Sequence, residues 1–293
     1  MSLKSRVLRI LRLAISATIF TVDRIVVLAR RLYNGRIPGR CVVLYYHGVP
    51  AAQCSGFIHQ IYWLKENTVI VPADYSGILN DDTVYAALTF DDGFSNLIEN
   101  ALPVLIQERI PCTIFFPSGY LGRLATWYSD LAAPERRERV MTFEEIKNLP
   151  PDLITIGSHT VSHPRLTRLA LKKAAEELEK SRRILARGIG TEVKLFSFPH
   201  GACNDEVIRL ARHAGYERTF TIEPEFAFSQ PDRFVTGRVR VTPDDWNLEF
   251  ILKVKGAYRW QATFSDWRRT IRNAAWCKNL SKTKGRDVAD EPA

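Results

Sequence analysis

A closed or nearly closed α/β barrel is the fold that three observations in the sequence predict. Short apolar runs rich in β-branched and aromatic residues recur along the chain, and segments of helical spacing separate them. The runs end repeatedly in chemistry-bearing residues: His47-Gly48, Asp91-Asp92-Gly93, Ser158-His159 and His200-Gly201. Runs that stay apolar without alternation suit strands buried on both faces, and strands alternating with helices imply parallel pairing. About seven such units fit a barrel, where the carboxyl ends of the strands share one rim.

Taken in order, the first segment, Leu3 to Leu32, lacks Pro and Gly and reads as one helix. At about 100° per residue, Arg6, Arg9, Arg12, Asp23, Arg24, Arg30 and Arg31 fall in one sector, with Leu3, Val7, Ile10, Leu11, Ala14, Val22, Ile25, Ala29 and Leu32 opposite and Lys4 the one misplaced charge. The uncharged run Leu13 to Val22 is too short to cross a bilayer, which takes about 20 apolar residues. Three readings stay open: a helix on an anionic membrane surface, one packed on the domain, or an uncleaved anchor. The first implies a cytoplasmic protein, peripheral on the inner face of the membrane.

After the turn residues Asn34-Gly35 and Pro38-Gly39, Cys41 to Tyr46 reads as the first buried strand and Phe57 to Lys65 as a short helix. Ala86 to Phe90 is the central strand, and Gly93 permits its sharp exit. Asn96 to Arg109 has helical spacing with Pro103 as a kink. Cys112 to Phe116 is a strand, followed by an aromatic loop holding Trp127 and Tyr128. A helix is predicted from Thr142, with Glu145 at capping-box spacing. Leu153 to Ile156 is a strand, Leu166 to Arg187 a helix stopped by Gly188, and Val193 to Phe198 a strand. Asn204 caps a helix to His213, and Arg218 to Ile222 and Phe234 to Val241 complete the strands. The domain units are 1–36, 40–256 and a basic C-terminal segment, 257–293. In that segment Trp260, Phe264, Trp267, Ile271 and Ala275 repeat at helical spacing among Arg268, Arg269 and Arg272.

Of the net charge of +9, residues 1–40 supply nine Lys/Arg against one Asp. The rest of the chain is nearly neutral, so no basic groove crosses the domain and nucleic acid is not an expected partner. Five cysteines, odd in number and without a CxxC pair, indicate neither a disulfide framework nor a thiolate zinc site.

Two clusters carry chemistry. Adjacent carboxylates, Asp91 and Asp92, end the central strand, and His159-Thr-Val-Ser-His163 follows a later strand, with Pro164 holding His163 toward extended conformations. One carboxylate and two neutral imidazoles make a three-ligand site with a position open for water, as a catalytic divalent metal such as zinc requires. The second carboxylate then stands beside that water as a base.

At these residues, Thr89-Phe-Asp-Asp-Gly93 and His159 to His163, the chain resembles the polysaccharide deacetylase, or NodB-homology, family of carbohydrate esterases. The resemblance implies a distorted (β/α)7-type barrel across 40–256 that removes N-acetyl groups from amino sugars, in a polysaccharide or lipid-linked glycan. It assigns Asp91 as general base and Asp92, His159 and His163 as metal ligands. Ser197-Phe198-Pro199-His200-Gly201 keeps the proline and glycine of the family's third motif but lacks its arginine. Another group must orient Asp91, with Arg238 and Arg240 as candidates. The N–H of His200, after Pro199, can serve as an oxyanion donor. Tyr45-Tyr46-His47-Gly48 resembles the N-terminal motif of a permuted branch in which that histidine is the general acid, and a shared rim allows His47 to reach the same cavity. Trp127 and Tyr128 are candidates to stack on a sugar. Deformylation of a lipid-linked sugar and a catalytically silent carbohydrate-binding role are the alternatives.

Overall fold

A computed structural model describes residues 3–131, 133–230 and 232–262. The first helix, α1 (Leu3–Asn34), packs against the helix Asn247–Val254 and the residues after it, at the edge of a domain built on a parallel sheet whose strands alternate with helices. The strands are β1 (Arg40–Tyr46), β2 (Val69–Ile70), β3 (Val84–Phe90), β4 (Cys112–Phe116), β5 (Ile154–Ser158), β6 (Leu195–Ser197), β7 (Arg218–Phe220), β8 (Val235–Thr236) and β9 (Val239–Arg240). The helices after α1 are α2 (Cys54–Asn67), α3 (Asn96–Asn100), α4 (Leu102–Gln107), α5 (Phe143–Lys147), α6 (Leu171–Ile189), α7 (Asp205–His213) and α8 (Asn247–Val254).

The spatial order is β8-β7-β6-β5-β4-β3-β1-β9, with β2 added to β3. The two ends of this path, β8 and β9, are joined only by Gly237 and Arg238. Three Cα steps span at most about 11 Å, so the sheet must curl until its ends almost meet. That short link is what makes the sheet a distorted barrel.

Strand parity sorts the side chains. Val42, Leu44 and Tyr46 of β1, with Ala86, Leu88 and Phe90 of β3, face the helices and join the larger core. Cys41, Val43, Tyr85, Ala87, Phe115, Leu195 and Phe220 face inward and fill the barrel. Both faces of the sheet are thus buried, which is why the strands read as continuous apolar runs.

Thr142 and Glu145 close the expected capping box at the start of α5, and the Asn204 side chain accepts from the Val207 N–H at the start of α7. The helix expected to break near Pro103 divides into α3 and α4 at Ala101. Three expectations are corrected. The helix predicted over Leu166 to Arg187 begins at Leu171, because Leu166–Arg168 forms a separate 3-10 turn. It also runs through Gly188 and ends at Gly190, whose φ of 78 caps it. Gly188 is needed for close approach instead: a Cβ there would sit 2.0 Å from the Phe143 ring. The single strand predicted over Phe234 to Val241 is two short strands on opposite ends of the sheet. Of the C-terminal aromatic series only Trp260 is among the described residues; Phe264, Trp267, Ile271 and Ala275 lie outside them.

Gly93, with φ of 59, turns the chain out of β3, and a Cβ added there would meet the Phe116 ring at 2.2 Å. Gly93→Ala therefore combines left-handed strain with overpacking and is expected to lower stability by about 2–4 kcal/mol. Urea denaturation midpoints of the two proteins measure this; equal midpoints would refute it.

Candidate active site

The inward parity of the strands carries straight into the site. On β1 the series Cys41, Val43, Tyr45 continues to His47, and on β3 Tyr85, Ala87, Thr89 continues to Asp91. The ladder runs one residue beyond each of two strands: the Asp91 N–H donates to Tyr46 O at 2.9 Å and the His159 N–H to Phe116 O at 2.9 Å. His47, Asp91, His159, His163, His200 and Tyr128 border one pocket of about 310 Å³.

Asp91 is held by Arg238, a fully buried side chain from the two-residue seam between β8 and β9. Nη1 donates to Asp91 Oδ1 at 2.8 Å and Nη2 to Oδ2 at 2.7 Å. The remaining donors are also taken: Nη1 to Thr89 Oγ1, Nη2 to Ser197 Oγ and Nε to Thr221 O, at 3.0, 2.8 and 3.1 Å. All five N–H groups of the guanidinium are satisfied, and its carbon lies 4.6 Å from the Tyr45 ring centroid. Burial pushes the Asp91 carboxyl up, but the Arg238 charge, His159 and the Arg238 hydrogen bonds together outweigh it and leave the group below its ordinary value. It is therefore ionised at neutral pH.

Asp92, His159 and His163 form the second cluster, buried and with candidate ligand atoms all within 4.8 Å of one another. His159 Nδ1 lies 2.7 Å from Ser197 O, which fixes the proton on Nδ1 and leaves the Nε2 lone pair facing Asp92. Burial pushes this imidazole down to about 4, so it is neutral, the form that binds metals. Tyr128 donates its hydroxyl to Asp92 Oδ2 at 2.8 Å. Asp92 Oδ1 stands 3.2 Å from His163 Nε2 and 3.7 Å from His159 Nε2, yet it is buried without a hydrogen-bond partner. A buried carboxylate oxygen left bare beside two imidazole nitrogens, with His163 Nδ1 also without a partner, is unfavourable alone and becomes favourable around a cation. The donor set thus fits a divalent metal.

Backbone strain concentrates here. Asp92, Thr160, His163 and His200 have φ of 69, 67, 58 and 59, costing on the order of 1–3 kcal/mol each unless the surroundings hold them. His163 is thus left-handed rather than in the extended conformation that Pro164 predicts, because its side chain must turn to Asp92. For the histidine loop the brace is α6. Glu177 accepts from the Val161 and Ser162 N–H groups at 2.8 and 2.9 Å and from Ser162 Oγ at 2.7 Å. One helical turn on, Ser181 Oγ donates to Thr160 O at 2.7 Å.

The loop aromatics turn inward. Trp127 stacks on His163 at 4.9 Å between centroids and parallel to Phe94 at 6.4 Å, so its ring is already engaged in fixing a candidate ligand. Tyr128 orients Asp92 while still bordering the pocket. Pro199 is buried beneath His200, whose ring stands at the rim 4.7 Å from His163. Arg240 borders the pocket but does not hold Asp91; Arg238 does. The braces Glu177, Ser181 and Ser197 were not legible as functional; the only sequence signal is the helical i, i+4 spacing of the first two.

Residues 79–219 match the family model described as polysaccharide deacetylase. The chain is 25% identical over 217 residues to YxkH of Bacillus subtilis, described as a candidate polysaccharide deacetylase, covering 70% of this chain and 73% of that one. It is 24% identical over 159 residues to the poly-β-1,6-N-acetyl-D-glucosamine N-deacetylase of Staphylococcus aureus, covering 54% of each; it thus spans about half that enzyme's length. Among solved structures, IcaB from Ammonifex degensii shares the fold with a TM-score of 0.62, at 24% identity, over 76% of this chain and 98% of that one.

Removing Arg238 leaves Asp91 as an unpaired buried charge, so Arg238→Met is expected to lose about 3–5 kcal/mol of stability at pH 7. Asp91 has a native pKa below its ordinary 3.8, so its contribution is present above that pH and is lost as pH falls through the native value. The stability gap between the two proteins should therefore shrink as pH falls, starting where the unpaired, burial-raised Asp91 of the variant takes up its proton and ending at the lowered value of the native carboxyl, and adding Asp91→Asn should restore part of the loss. Denaturant titrations at pH 7 and pH 3 check both; a gap independent of pH would refute the pairing.

Proposed function

The chain carries a polysaccharide deacetylase domain, and from that premise we propose that it hydrolyses the N-acetyl amide of an amino sugar within a polysaccharide, releasing acetate and a free amine. The observation that carries the reading is the union, in one pocket, of the Asp92–His159–His163 cluster, with its bare Asp92 oxygen, and a second carboxylate clamped by Arg238. A β-1,6-linked N-acetylglucosamine polymer, named for the Staphylococcus aureus relative, is the first substrate to test.

Asp92, His159 and His163 would hold a divalent cation, zinc by the match of one carboxylate and two imidazoles, which supplies carbonyl polarisation and a bound water of lowered pKa. Tyr128 occupies Asp92 Oδ2 and so presents Oδ1 as the ligand atom. Asp91, ionised and immobilised by two hydrogen bonds from Arg238, accepts the proton of the attacking water. The His200 N–H donates to the developing oxyanion. His47, the next inward position beyond Tyr45, borders the same pocket and protonates the departing amine.

Purified protein is expected to contain one divalent metal and to release acetate from the polymer. His163→Ala should lose both the metal, read by elemental analysis, and the activity. His47→Ala should keep its metal and fold but lose roughly 10²- to 10⁴-fold in rate. Normal turnover by His47→Ala, with loss in His200→Ala, would move the acid to the β6 end; acetate release that persists in His163→Ala would overturn the whole reading.

A further inference from the structure

α1 docks on the domain through a stripe that mixes polar and apolar side chains. Arg9, Leu13, Ser16, Phe20, Asp23 and Val27, spaced alternately by four and three residues, form the stripe toward the domain. Arg9 Nε donates to Glu249 Oε2 at 2.6 Å, Asp23 pairs with Arg40 at 2.9 Å, and Ser16 Oγ accepts from Trp260 Nε1 at 3.0 Å. Between these polar contacts Leu13, Ala17 and Phe20 pack around Leu252, Ala257 and Tyr258, and Val27 is buried farther along the stripe. Packing on the domain and contact with a membrane surface are therefore not exclusive readings, because docking uses this mixed stripe and leaves the opposite apolar face free.

That face is centred about 160° from the docking stripe. Val7, Ile10, Leu11, Val22, Ile25 and Leu32 are 56, 55, 54, 56, 63 and 85% exposed. These form two aliphatic clusters, Val7/Ile10/Leu11 and Val22/Ile25/Leu32, joined along the same face by Ala14, Thr18 and Thr21, whose hydroxyls bond back to the helix carbonyls at Ala14 and Ala17. So much exposed apolar area on one helix face is not ordinary surface. Between the two faces, Arg6 and Arg24 lie on one flank and Arg12 and Arg30 on the other, all exposed. Three sectors result: docked, basic and apolar.

We propose that the outer face of α1 lies in the interfacial region of a lipid bilayer carrying anionic headgroups. With the aliphatic clusters in the acyl boundary, both arginine flanks sit at the level of the lipid phosphates. A second copy of the chain fits less well, since two such helices face to face would oppose arginines to arginines. The one acid of α1, Asp23, is engaged with Arg40. No helix among the described residues is long and apolar enough to cross a membrane, so the helix would lie along the surface.

The docking contacts also set the orientation. Arg9 reaches Asp244 O and Glu249, just beyond the carboxyl end of β9, whereas Arg31 pairs with Asp82, just before the amino end of β3. α1 therefore runs antiparallel to the strands along the full depth of the barrel. With α1 flat on the bilayer, the barrel axis lies along the surface and the catalytic rim opens sideways, toward glycan that travels along the membrane. This surface is independent of the reaction assigned to the pocket.

Flotation of the full chain with phosphatidylglycerol/phosphatidylcholine vesicles, against phosphatidylcholine alone, tests the proposal. Binding is expected only with the anionic vesicles, falling about fivefold for each of Arg12→Gln and Arg24→Gln. The Val22→Glu/Ile25→Glu variant should lose it while keeping its circular dichroism spectrum and its acetate release from a soluble substrate. A quenchable probe attached at Ile10→Cys or at Val22→Cys should be quenched alike by brominated lipid, as a flat helix requires. No flotation, flotation indifferent to Val22→Glu/Ile25→Glu, or a lipid-free dimer that this variant dissolves without any vesicle binding, would each overturn it.

Discussion

The buried ion pair between Arg238 and Asp91 is the constraint on which the rest of the site depends. A guanidinium inside a barrel is tolerable only if every donor is met, and here the partners come from β3, β6 and the segment after β7 as well as from Asp91. The arginine can reach all of them because it sits at the seam where the sheet closes. Barrel closure and orientation of the candidate base are thus one event: a chain that failed to bring β8 and β9 together would leave both charges buried and alone.

Around this fixed carboxylate the second cluster is built on strained backbone and braced from outside. Three of its four left-handed residues carry side chains that border the pocket or join the metal-type cluster. Such conformations persist only where neighbours over-determine them. Glu177 and Ser181 do so from α6, Ser197 fixes the His159 tautomer from β6, and Trp127 stacks on His163 from the loop. Ser197 touches both systems, accepting from Arg238 through its hydroxyl and binding His159 through its carbonyl, so the base and the ligand cluster are held at a common spacing.

The same economy of contacts governs α1. Its charges are spent on the domain and on its flanks, while its large aliphatic side chains are left outside, where the proposed bilayer contact would use them. A helix that used those side chains to dock would have nothing but arginines to show to a membrane.

The sequence by itself determined the alternation of strands and helices, the parallel sheet, the amphipathic first helix, and the placement of His47, Asp91, Asp92 and His159 at strand ends. These follow from local physics: apolar runs, period-two parity, capping residues and glycines at sharp exits act over a few neighbouring positions and can be read there. Tertiary structure alone decided that Arg238 rather than Arg240 grips Asp91, that Tyr128 turns to Asp92, and that Gly188 makes room for Phe143 instead of ending a helix. It also decided which face of α1 meets the barrel. Those choices depend on partners brought together by closure of the sheet, 147 residues apart in the case of Arg238 and Asp91, and a spacing in sequence holds no record of which distant group will arrive to satisfy a buried charge.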